Sequence, residues 1–227
     1  MIKLLGGASF RAFRCLWMLE ELGLPYEHIA AMPQSPEVRQ INPLGKIPVL
    51  VDEDGFSIYE SVAINTYLGD KYRSRNPILV PAAGTCQRGL FDQTMSVLNS
   101  ELDAQGLWIH RKHEAMGDIF SYVPDAVVHA RKYFHKTNRV LIQQLKSPGP
   151  YLLGADFTAT DMVYVHCLDW SKAIGWNEKW ESDPAVQKYL ELCKARPAYI
   201  KLKAIRDAEK DLMKNKSTKV VEGGSKL

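Results

Sequence analysis

The sequence changes character at residues 73–83, "RSRNPILVPAA". Before this stretch, short β-like runs alternate with helical ones. After it, apolar residues recur at helical spacing almost throughout, with no convincing strand. A chain patterned in this way folds as a small α/β unit followed by an all-helical one, with the proline-containing stretch as linker. Its 227 residues suffice for both units to bury a real core.

Residues 2–5, Ile-Lys-Leu-Leu, predict a first strand. Over residues 11–22, Ala12, Leu16, Leu19 and Leu22 recur at helical spacing, and Gly23 with Pro25 supplies the stop. A second strand is expected at 26–30 and a short polar helix around 37–40. "NPLGKIPVLVDEDG" gives a strand at 47–51, and Asp54-Gly55 between two β-like runs is a strong hairpin signal. A helix begins near Glu60, so the order is βαβ, hairpin, helix. Downstream, helices are expected at 85–115, 119–145, 158–174, 185–195 and 199–214. The domains are therefore drawn at 1–75 and 84–215, with a flexible polar tail at 216–227.

Bulk properties exclude several classes. A formal charge of +3 is too small to argue for nucleic acid. No apolar run approaches the ~20 residues of a membrane helix, and no secretory leader pattern is found. Cys15, Cys86, Cys167 and Cys193 form no CxxC pair and read as free thiols in a reducing compartment. Neither His nor Cys clusters at zinc-ligand spacing, so no metal is expected.

The turn after the first strand, Gly6-Gly7-Ala8-Ser9, lacks the third glycine of a dinucleotide fingerprint and the lysine of a P-loop. A thiol-handling role fits better. A hydroxyl at a helix N-terminus, beside unpaired N–H groups and the positive end of the helix dipole, stabilises a bound thiolate. Ser9 is placed for this, and Arg11 and Arg14 would add positive potential; alternatively Ser9 merely caps its own helix. Pro48 at the start of a strand is where a cis X-Pro bond turns backbone polar groups toward a ligand, the alternative being an edge-strand proline in trans. Glu60 and Ser61 at a helix start can hold an ammonium and a carboxylate, or mark a plain acidic first turn. Thr158 and Asp161 have capping-box spacing and are read as structural.

"FRCLWMLEELGLPYEHI", "NPLGKIPVL", "ESVAINTYL", "FTATDM" and "RPAYIK" together resemble the cytosolic glutathione transferases, in the family's order and approximate spacing. The resemblance implies a thioredoxin-like first domain, an all-α second domain, and glutathione as co-substrate without a metal. Under it, Ile47 before a cis-Pro48 pairs with the cysteinyl backbone, Glu60-Ser61 holds the γ-glutamyl end, and Lys46 approaches the glycine carboxylate. A small electrophile would lie against the helical domain, near Phe10, Leu107, Trp108 and Arg111, and two chains would pair as a homodimer. The departure is at the activating residue. One common arrangement would put the hydroxyl at Phe10, so Ser9 serves only if the loop is one residue shorter; Arg11, a backbone N–H or Tyr59 are the alternatives. No cysteine occupies the turn, which disfavours a mixed-disulfide thioltransferase.

The activity so implied is attack of the glutathione thiolate on an electrophilic carbon or an organic hydroperoxide. A non-catalytic glutathione transferase-like binding protein, and a glutathione-dependent isomerase or dehalogenase, stay open beside it. Ser225-Lys226-Leu227 matches the tripeptide read by the peroxisomal import receptor, so the expected location is the cytoplasm or the peroxisome.

Overall fold

A computed structural model describes residues 1–223, with side chains described as far as residue 212; Ser225, Lys226 and Leu227 lie outside the described residues. The chain runs β1 (Ile2–Leu5), α1 (Ala12–Glu21), β2 (Tyr26–Ile29), α2 (Pro36–Arg39), β3 (Val49–Val51), β4 (Ser57–Tyr59) and α3 (Ser61–Lys71). It continues as α4 (Cys86–Ser96), α5 (Trp108–His110), α6 (Gly117–Phe120), α7 (Pro124–Leu145), α8 (Ala159–Ala173), α9 (Pro184–Lys194) and α10 (Pro197–Gly223). Two compact units result. One is Met1–Leu68 together with the chain from Ala195 onward; the other is Gly69–Lys194. The tail expected at 216–227 thus begins within the bounds of α10.

In the first unit, a four-stranded sheet has the order β2-β1-β3-β4. β1 and β2 are parallel, with Ile2 opposite Tyr26, because α1 carries the chain back across the sheet before β2 begins. β3 runs antiparallel to β1, with Leu4 opposite Leu50, and the hairpin to β4 sets Leu50 against Ile58. This is the thioredoxin-like arrangement expected. The strand expected at 47–51 starts only at Val49, since Pro48 has no N–H to give a ladder. Leu5, Ala31, Val38 and Val49 bury a small core, with Ile29, Ile41, Ile47 and Val51 packed against it.

Every residue of α1 from Ala12 to Leu19 is buried. The stripe read from sequence describes one face only, because α10 covers another. The Tyr199 ring lies 5.0 Å from Trp17 and 5.7 Å from Phe13. Arg196 grips Glu21 with two bonds of 2.6 Å, and Lys201 pairs with Glu20 at 2.7 Å. These contacts place α10 with the first unit, whereas a division by sequence position put it in the second domain.

The second unit is helical. Thr85 caps α4 by accepting the Arg88 N–H at 3.1 Å. Beyond α4 the backbone is wound more loosely, as π-helix, over Val97–Leu107 and Arg111–Ala115. The helix expected at 119–145 is broken: Ser121 has φ of +94°, and Pro124 keeps Val123 out of the helical region and becomes the first residue of α7. Before α8 the capping box forms as expected. The fully buried Asp161 accepts N–H bonds from Thr158 at 2.8 Å and Leu152 at 2.9 Å, and the Tyr189 hydroxyl at 3.0 Å. Burial pushes its pKa up to about 6, against the pull of these donors.

Asp161→Asn leaves an amide N–H₂ facing one of these donors. It should lower the free energy of unfolding by about 1–3 kcal/mol, seen as a reduced urea midpoint at unchanged m-value.

Candidate functional site

The turn between β1 and α1 is built by two glycines. Gly6 has φ of +135°, and its N–H donates to Ile29 O at 2.8 Å. A Cβ on Gly6 would stand 3.0 Å from Cβ of both Ala12 and Ile47, so only glycine lets the Ile47 loop approach the turn this closely. Gly7 N–H donates to Ala31 O at 3.3 Å, and Phe10 N–H closes back on Gly7 O at 3.1 Å.

Ser9 does not cap α1. The residue at the cap position is Arg11, with no side-chain cap bond. Ser9 Oγ is buried and has no hydrogen-bond partner among the described residues. A buried hydroxyl without a partner costs stability, and such groups concentrate where a ligand completes them. Its neighbour Ala8 differs: the Ala8 N–H donates to the carboxylate of Glu209 on α10 at 2.7 Å. No local signal in the sequence points to this contact, since the partners stand 201 positions apart.

The Ile47–Pro48 peptide is cis. The loop before it is fixed by buried Asn42, which donates to Lys46 O at 2.8 Å and accepts the Leu44 N–H at 3.0 Å, while the Lys46 side chain is exposed. Glu60 is exposed with φ of +76°, and Ser61 opens α3 in a buried position. Arg14, expected to add positive potential at the turn, is instead fully buried and donates to Ser61 Oγ at 3.4 Å. Its carbonyl accepts the Asn65 amide at 3.3 Å. Ser61 is thus tied from beneath to α1, and the turn and the Ile47 loop are held together through Gly6. Burial pushes the Cys15 thiol far up, so it stays protonated and unreactive.

Leu107, Trp108 and Arg111 belong to the second unit. Leu107 is fully buried; Trp108 and Arg111 are half-buried, and the Trp108 ring meets Phe120 edge-on at 6.3 Å. His110 is buried edge-on against Trp176 at 5.2 Å, and that burial lowers its pKa. Trp176 and Trp180 are buried packing anchors. Among the described residues no three His, Cys, Asp or Glu side chains gather to hold a metal ion, and no helix is long and apolar enough to cross a membrane.

A thioredoxin-like sheet unit followed in sequence by a helical one, with a cis-proline loop beside the α1 turn, defines a class that comparison narrows to one family. The glutathione S-transferase N-terminal domain profile matches residues 8–71, and the C-terminal domain profile matches residues 70–192. The chain is 30% identical over 215 residues to glutathione S-transferase hmp2 of Hypomyces subiculosus, covering 90% of this chain and 98% of that one. Among solved structures it is similar to the glutathione transferase URE2P6 of Phanerochaete chrysosporium, solved with oxidized glutathione (TM-score 0.75, 26% identity, 91% and 96% of the two chains). It shares its fold with glutathione transferase F2 of Populus trichocarpa (TM-score 0.77, 21% identity, 92% and 100%). The chain belongs to the glutathione S-transferase family, and so stands among the glutathione transferase enzymes.

Gly6→Ala combines a strained φ with contacts too short for Cβ and should destabilise the protein by about 3 kcal/mol. Gly23→Ala, at φ of +61° with nothing near its Cβ, should cost only about 1 kcal/mol. Paired urea melts separate strain from contact.

Proposed function

We propose that this protein binds glutathione along its first unit, lowers the pKa of the glutathione thiol at the α1 turn, and directs the thiolate to a small electrophilic carbon or an organic hydroperoxide. The observation that carries this is the buried Ser9 hydroxyl, which makes no cap and no other bond among the described residues. A hydroxyl so placed donates to a thiolate, with the helix dipole adding its field. The thiol proton leaves to solvent, and nucleophile and electrophile are then held in one site, so proximity does the rest.

Around it, the cis Ile47–Pro48 peptide supports pairing with the cysteinyl backbone of glutathione. Ser61 at the N-terminus of α3, with the exposed Glu60 before it, supports a seat for the γ-glutamyl end. Exposed Lys46 is within the same loop as Pro48 and suits the glycine carboxylate. Arg11 at the cap position adds positive charge to the turn. For the electrophile we name Phe10 in the first unit and Trp108 and Arg111 in the second; Leu107 is fully buried within the second unit. The working form is taken as a homodimer, and the role as detoxification. Ser225-Lys226-Leu227 supports peroxisomal import as the alternative to a cytoplasmic home.

A second reading, a glutathione-binding protein without an effective activator, is favoured by the carboxylate of Glu209 at the Ala8 N–H, a negative charge next to the thiolate position.

Titrating glutathione into wild type and Ser9→Ala, with thiolate absorbance followed against pH, separates the two. The bound thiol of wild type should ionise at least about one pKa unit below the free one, and Ser9→Ala should bind glutathione without that drop. An unshifted thiol in wild type would sustain the binding-protein reading, and an equal drop in the variant would move activation to Arg11 or a backbone amide.

A further inference from the structure

Glu209 fills a donor that the α1 turn would otherwise hold out to an anion. Its Oε2 accepts the Ala8 N–H at 2.7 Å, and its Oε1 lies 3.7 Å from Nε2 of His28 on β2. That His28 nitrogen lies 2.9 Å from Gly6 O, which fixes the ring beside the same turn. The Glu209 side chain is 12% exposed. Gly7 leaves it room, since a Cβ there would stand 3.2 Å from Oε2. Its position is set upstream, where Arg196, Tyr199 and Lys201 clamp α10 onto α1. Also on α10, the Arg206 guanidinium lies over the Phe13 ring of α1 at 4.6 Å.

We propose that Glu209 sets how far a bound glutathione thiol ionises: its carboxylate holds the Ala8 N–H, and the thiolate forms only as that carboxylate gives way. This rests on the glutathione reading above. One N–H in the turn serves one anion well, and two like charges brought close together, partly shielded from water, disfavour each other strongly. A thiol arriving beside Ser9 therefore meets one free donor and one already engaged. Glu209 is a positioning residue in this scheme. It takes no proton from the thiol, whose proton leaves to solvent.

The test is Glu209→Gln, which keeps size and an acceptor oxygen for Ala8 N–H but removes the charge. Calorimetry gives the affinity for glutathione and for S-methylglutathione, which has no thiol to ionise, and ultraviolet absorbance gives the thiolate fraction at near-neutral pH. Glu209→Gln should bind glutathione about tenfold more tightly, with a larger thiolate fraction, the effect of removing one like charge. S-methylglutathione should bind wild type and variant alike. Equal change for both ligands, or change for neither, overturns the proposal, as does loss of S-methylglutathione binding in the variant, which would make Glu209 a structural prop. If wild type binds neither ligand, the glutathione reading fails first and takes the role of Glu209 with it.

Discussion

Helix α1 is buried on all sides, and the first unit is organised around that demand. A helix with Phe13, Leu16, Trp17, Met18 and Leu19 spread around its axis cannot be satisfied by one sheet face. The second surface comes from α10, through Tyr199 packed tilted on Trp17 and edge-on to Phe13, and through the ion pairs of Arg196 with Glu21 and Lys201 with Glu20. Burying α1 also buries Arg14, whose guanidinium has to find hydrogen bonds inside. One of them goes to Ser61 Oγ, and so the helix that carries the turn also fixes the start of α3. Packing thus sets two parts of the candidate site at once.

What the sequence discloses depends on how local the cause is. Asp54-Gly55, the Gly23-Pro25 stop and the Thr158–Asp161 box act within a few residues, and each does in the fold what its spacing predicts. Pro124 was an equally local signal: it bars a helical Val123 and splits a run that periodicity alone reads as continuous. The place of α10 is of another kind. Tyr199 and Leu202 form an apolar face that suits any helical neighbour, and only the all-round burial of α1 decides which neighbour it meets. Arg14 was legible as a charge near a turn, but its direction is set by helix phase and by Ser61, 47 positions away.

The candidate site follows the same division. Ile47, Pro48 and Ser61 belong to motifs whose residues are contiguous; the Ile47–Pro48 peptide is cis and Ser61 opens α3. Glu209 carries no motif. It reaches Ala8 because α10 is clamped by the Arg196 and Lys201 ion pairs and then runs past the turn. A carboxylate in a polar helical stretch reads as a solvated charge until the packing brings it to Ala8.

Ala8 and Ser9 are adjacent, yet their donors are in opposite states. The Ala8 N–H is engaged by a charged acceptor, and the Ser9 hydroxyl is engaged by nothing among the described residues. A turn selected for stability alone would use Ser9 as the helix cap, a contact worth about 1 kcal/mol. Instead Arg11 stands at the cap without a side-chain cap bond, and the hydroxyl is held buried and unpaired among the described residues. That is stability left out at a point where a ligand atom would restore it, while the neighbouring carboxylate keeps an anion from being held there without cost. On the reading proposed above, the Ser9 hydroxyl offers a bound thiol a donor, while Glu209 at the neighbouring N–H opposes its ionisation.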